Sequence, residues 1–102
     1  MEKKQLKKPK KNTYQPFEFS GQICGSQKTK VYNQERYGQF YWRLFPAGKE
    51  KVKTLFAFKD AVGEKIWQDI ENFAYHGRSL IFLVKKYGST PGNYQLLQWR
   101  KI

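Results

Sequence analysis

Cations and tyrosines fall together at several places in the chain. Lys28, Lys30, Tyr32, Arg36 and Tyr37 form one group, Tyr41 and Arg43 a second, and Lys85, Lys86 and Tyr87 a third, with Lys49, Lys51 and Lys53 at every second position between them. That combination has a defined chemistry. A cation neutralises a phosphate and releases its condensed counterions, while a ring stacks on an unpaired base for roughly 1 to 3 kcal/mol. The competing reading is that lysines solubilise any surface and that large rings on strands fill cores. On that division Phe19, Phe40, Trp42, Leu44, Phe56, Phe58, Trp67 and Phe73 are expected in the core. Tyr32, Tyr37, Tyr41 and Tyr87, with polar ends beside cations, are expected to touch ligand, and Trp99, next to Arg100, is either a binding ring or a plug of the core.

Other chemistries have fewer residues to work with. One cysteine, Cys24, makes no internal disulfide, and with one histidine, His76, it makes no zinc site of the usual Cys/His kind. As a nucleophile and base the same pair lacks any local activating group. His76 is better placed to complement the negative end of a helix. Glu64, Asp69 and Glu71 share a polar helical face with Lys65 among them, which is the pattern of a solvated surface. Neither a G-x-x-x-x-G-K-[ST] nor a G-x-G-x-x-G loop occurs. No catalytic residue, metal or cofactor is expected, and the chain is not read as an enzyme.

The 102 residues suit one domain, and 20 Lys+Arg against 8 Asp+Glu give a formal net charge of +12. Residues 1 to 16 carry six lysines and one glutamate and little apolar surface, so they are expected to be a disordered basic arm. A short lysine arm is otherwise simply solvated, or an address signal. Residues 17 to 102 keep 14 basic and 7 acidic residues, so the basic excess belongs to the folded part as well. Aromatics make up 18% and supply the apolar volume for a compact core. No stretch has the roughly 18 apolar residues of a membrane span, and no apolar stretch follows the lysine-rich start as in a signal peptide. The expected location is cytoplasmic, associated with the nucleoid, or organellar, with no membrane partner.

The elements that must position these side chains follow from periodicity. Phe17, Phe19, Gly21 and Ile23 alternate with polar residues as in a half-buried strand. Residues 39 to 45 place Phe40, Trp42 and Leu44 on one face and Tyr41, Arg43 and Phe45 on the other, and the turn signal after Pro46 leads to a strand over 52 to 58, predicting a hairpin. The period then becomes helical. Val62, Ile66, Ile70, Phe73 and Ala74, with Trp67, line one side of a helix between Asp60 and His76, with Asp60 to cap its start and Gly77 its end. Residues 80 to 84 and 93 to 102 are the last two strands, joined by a loop of turn formers.

Five strands with a helix between the third and fourth is the order of a mainly β OB-fold barrel over residues 17 to 102, although an SH3-like barrel or an α+β sheet fits the same order. The runs QFYWRLF, KTLFAF, HGRSLIFLVKKYG and NYQLLQW resemble single-stranded DNA-binding proteins of the bacterial and organellar type, over residues 17 to 102. The resemblance implies non-enzymatic binding of single-stranded DNA in replication or repair, often as a homo-oligomer. It departs at Trp99, Arg100, Lys101 and Ile102, where the bacterial proteins continue into an acidic tail, so recruitment of partners by such a tail is not expected. An RNA-binding or ribosome-associated module and an adaptor docking an acidic protein are the alternative functions. The expected contacts are Lys28, Lys30, Tyr32, Arg36, Tyr37, Tyr41, Arg43, Lys51, Lys53, Lys85, Lys86, Tyr87 and Trp99.

Overall fold

The computed structural model describes residues 15 to 31, 39 to 48 and 51 to 102. The fold is mainly β. Six strands, β1 (Phe17–Gly21), β2 (Ile23–Lys30), β3 (Phe40–Pro46), β4 (Thr54–Ala57), β5 (Leu80–Lys86) and β6 (Asn93–Lys101), form one sheet in the order β1-β5-β6-β4-β3-β2. All pairings are antiparallel except that of β4 with β6.

The first expected strand is two strands here. β1 and β2 stand at opposite ends of the order, yet only Gln22 separates them in sequence. Flat edges of six strands would lie roughly 24 Å apart at about 4.8 Å per strand, whereas one residue spans at most about 3.6 Å. The sheet therefore coils, and the chain bends at Gly21 and Gln22 from one edge to the other. Gln22 is tied down at that bend, its carbonyl accepting from Ala47 N at 2.8 Å and its Nε2 donating to Ser79 Oγ at 3.1 Å. A register shift just beyond, between Ile23 and Gly25, leaves Cys24 unopposed and exposed, with Sγ donating to Phe45 O at 3.2 Å.

Alternation along the strands builds the core. Leu44, Leu55, Phe82, Val84 and Leu96 face inward with no exposed surface. Each such side chain stabilises the fold by about 1.5 to 3 kcal/mol relative to exposure. Trp42 opposes Ala57 on β4, a large residue against a small one.

Two helical pieces cover this core where one helix was expected. A single turn, α1 (Lys59–Val62), is followed by α2 (Glu64–Glu71), and Gly63 between them has φ +90, a conformation that no continuous helix contains. Helix α2 buries Trp67 and Ile70. It ends at Glu71, before Gly77, and residues 72 to 77 are turn. His76 is exposed on that turn rather than in the last turn of a helix. Phe73 adopts φ +57 there and its ring is 55% exposed, so it does not join the core.

Candidate nucleic-acid interface

The face of the sheet turned away from the core carries one continuous row. Gln27 on β2 opposes Arg43 on β3, Arg43 opposes Phe56 on β4, Phe56 opposes Gln95 on β6, and Gln95 opposes Lys85 on β5. Five strands thus contribute one residue each, over roughly 19 Å at about 4.8 Å per strand. No carboxylate stands in the row. Arg43 Nη2 donates to Gln27 Oε1, while Arg43 Nε and Thr29 Oγ1, both shielded, find no hydrogen-bond partner among the described residues.

Four rings gather beside this row. Tyr41 stacks on Phe56 with centroids 5.8 Å apart, and Tyr87, where β5 passes into the loop 88 to 92, stacks on Phe56 at 4.7 Å. Phe58 lies beneath both tyrosines, 5.5 Å from Tyr41 and 5.6 Å from Tyr87, and is only 6% exposed. Phe58 anchors the group to the fold, and Tyr87, 36% exposed, presents it to solvent. Such a surface can stack bases on its outer rings while Arg43 and Lys85 meet phosphates alongside.

The other expected contacts divide by position. Lys28 and Lys30 oppose Trp42 and Phe40, on the opposite face of β2 from Gln27 and Thr29. Lys28 Nζ lies 3.0 Å from Glu71 Oε2 and sits over the rings of Phe40 and Trp42 at 5.0 and 5.8 Å, so it fastens α2 to the sheet. Trp42 Nε1 donates to the same Glu71 oxygen at 2.9 Å. That indole hydrogen bond, and after it the bond from Lys28, hold the Glu71 carboxyl below the ordinary carboxylate range.

Lys51, Lys53 and Lys86 line a separate cleft of about 480 Å³ together with Gly92 and Tyr94. Lys51 Nζ lies 4.5 Å from the Phe17 ring, and Lys86 Nζ lies 5.3 Å from the Tyr94 ring and donates to Thr90 O at 2.6 Å. Gly92, at φ +89, fits against Lys53 so closely that a Cβ would stand 2.6 Å from Lys53 Cγ. Trp99 is on the core side of β6, 6.1 Å from the Phe82 ring and 5.9 Å from Tyr75. Tyr32, Arg36, Tyr37 and Lys49, and the arm except Gln15 and Pro16, lie outside the described residues.

Three rings assigned to the core from the sequence stand elsewhere. Phe56 belongs to the outward row, and Phe40 and Phe73 are 46% and 55% exposed. The pairing of Leu55 and Ala57 with Leu44 and Trp42 gives the core to the smaller residues of β4 and turns Phe56 outward. Alternation in residues 54 to 58 carried that signal, but both of its faces are apolar and the period alone does not choose between them.

Among the described residues no three His, Cys, Asp or Glu side chains group as metal ligands, and no helix is long and apolar enough to cross a membrane. Comparison with protein-family models, curated proteins and solved structures finds no match.

Proposed function

We propose that this chain is a non-enzymatic OB-fold module that binds single-stranded DNA across the outward face of β3 and β4, in support of replication or repair. The single observation that carries this reading is the carboxylate-free row of Gln27, Arg43, Phe56, Gln95 and Lys85, with Tyr41 and Tyr87 stacked on Phe56. Rings supply base stacking without sequence preference, and cations supply affinity that falls with salt.

The topology supports the fold assignment. An OB-fold is a five-stranded, partly open barrel, read here with a helix between the third and fourth strands. Taking β1 and β2 as the two halves of one bent strand gives five, and α1 and α2 fall between the third and fourth. On that reading Arg43 and Phe56 belong to the second and third strands and Tyr87 to the start of the loop after the fourth, and OB-folds bind oligonucleotides through those strands and that loop.

Trp42 and Trp67 are buried and Trp99 faces the core, so a labelled strand is a better reporter than intrinsic tryptophan fluorescence. The test is fluorescence anisotropy with fluorescein-labelled oligo(dT) of about 20 nucleotides, longer than the roughly 4 to 16 nucleotides that one OB-fold covers. The reading requires tighter binding to oligo(dT) than to a duplex of equal length, weakening as salt rises. Matched RNA that outcompetes DNA moves the assignment to an RNA-binding module. No binding of either at low salt leaves only the protein adaptor.

A further inference from the structure

Trp99 is one of the expected contacts that the outward face does not use, and it floors a cleft of its own. Its ring lies with Ile66, Tyr75 and Leu80 in a hollow of about 270 Å³ between α2 and the end of β6. The rim is cationic. Arg78 and Lys101 stand on it, both exposed, beside the ion pair of Lys65 with Asp69 at 3.6 Å. Arg100, also on the rim, reaches Glu18 Oε1 at 3.2 Å. Asp69 is the one carboxylate of this chain that lines the hollow among the described residues, and it already has a cation.

We propose that this cleft docks an acidic peptide segment of a partner protein, with one apolar side chain of the peptide seated on Trp99, Ile66 and Leu80 and flanking carboxylates meeting Arg78 and Lys101. Charge complementarity sets the sign of the partner, because two exposed cations surround the hollow without a described carboxylate of their own. The rings select a side chain over a base. Trp99 is packed by Tyr75 at 5.9 Å with planes tilted 53° and by Phe82 edge-on at 6.1 Å. The aliphatic Ile66 and Leu80 complete the floor, so the hollow accepts an apolar group by burial rather than by stacking. The site is also remote from the outward row. Trp99 is on the core side of β6, four residues beyond Gln95 and hence about 13 Å along the strand. Occupation of one surface therefore leaves the other open, and a strand and a partner can be held at once.

The test uses the full chain and two fluorescein-labelled peptides, one with four acidic residues around a phenylalanine and one with serine in place of the phenylalanine. The phenylalanine peptide should bind about tenfold more tightly than the serine peptide, and Arg78→Gln with Lys101→Gln should weaken it about tenfold. Oligo(dT) affinity of that double variant should stay within about twofold of the parent, the surfaces being independent. Lys101→Glu alone, at an exposed position, should shift peptide affinity in the same direction, and an unchanged thermal midpoint shows that the fold is kept. Equal binding of the two peptides, or binding unaffected by the substitutions, overturns the proposal. So does a tenfold loss of oligo(dT) affinity in the double variant together with displacement of the peptide by oligo(dT), which would give the cleft to the polynucleotide. The peptide measurements stand by themselves if oligo(dT) does not bind at all.

Discussion

The two faces of β3 use the same kinds of residue to opposite ends. Toward α2, Trp42 and Lys28 converge on Glu71, with the indole at 2.9 Å and the ammonium at 3.0 Å from one oxygen. Away from the core, Tyr41 and Arg43 stand with Phe56, Tyr87 and Lys85, and no carboxylate of the row receives their charge. A ring beside a cation is thus ambiguous by itself. The acid distinguishes the two: where a carboxylate closes the arrangement it is a fastening, and where none is present the charge remains available to an outside anion.

Substitutions on the two faces should separate these roles, and the largest effect belongs to the inner one. Trp42→Ala removes a buried indole and the hydrogen bond to Glu71, and should cost about 3 to 5 kcal/mol of stability by denaturant unfolding. Wild-type stability in that variant would mean that Trp42 does not join helix to sheet. On the outer face Tyr87→Ala should weaken oligo(dT) binding by about 1 to 3 kcal/mol, with a much smaller change in thermal midpoint, because Tyr87 is 36% exposed. A loss of stability equal to the loss of binding would assign the ring cluster to packing alone.

Smaller effects sharpen the same contrast. Glu71 has its carboxyl held below the ordinary range, so its contribution to stability is complete above its unfolded value and is lost as pH falls through the lower folded one. Chemical unfolding measured downward from pH 6 should show the parent losing stability relative to Glu71→Gln below about pH 4.3, the ordinary glutamate value. A pH-independent difference between the two would remove the ionic part of the Trp42, Lys28 and Glu71 arrangement. Smallest of all, Lys85→Gln should lower the slope of log affinity against log salt by about 1 while leaving the fold unchanged, as loss of one phosphate contact requires. Lys28→Gln, by contrast, should leave that slope as it is, since Lys28 is engaged by Glu71.

The period of two was enough to place much of this. In residues 39 to 45 it puts Phe40, Trp42 and Leu44 on one face and Tyr41, Arg43 and Phe45 on the other; Trp42 and Leu44 are buried as expected while Phe40 at the strand's start is exposed, and the hairpin of β3 with β4 follows from the turn after Pro46. It fails where both faces of a strand are apolar. Residues 54 to 58 offer Leu55 and Ala57 or Phe56 and Phe58 to the core, and the choice depends on Ala57 making room for Trp42 across the sheet. Lys28 reads as one more ligand-facing cation until the fold brings Glu71 to it from the far side of the sequence. A glycine inside a helical period costs the helix some stability, but that Gly63 breaks it outright is a matter of its φ of +90. Gly21 within an alternating strand marks a place to bend, and the strand divides there, but no local pattern encodes that its two halves pair along opposite edges.

The most direct measurement is a comparison of oligo(dT) and duplex DNA of equal length binding to the parent chain and to the Tyr41→Ala, Tyr87→Ala double variant, each with its thermal midpoint. The account predicts that the parent prefers the single strand by about tenfold or more, and that the folded double variant loses that preference while keeping the weaker, salt-sensitive affinity that both ligands share. Equal affinity of the parent for both ligands, or a preference undiminished in the folded double variant, would contradict it.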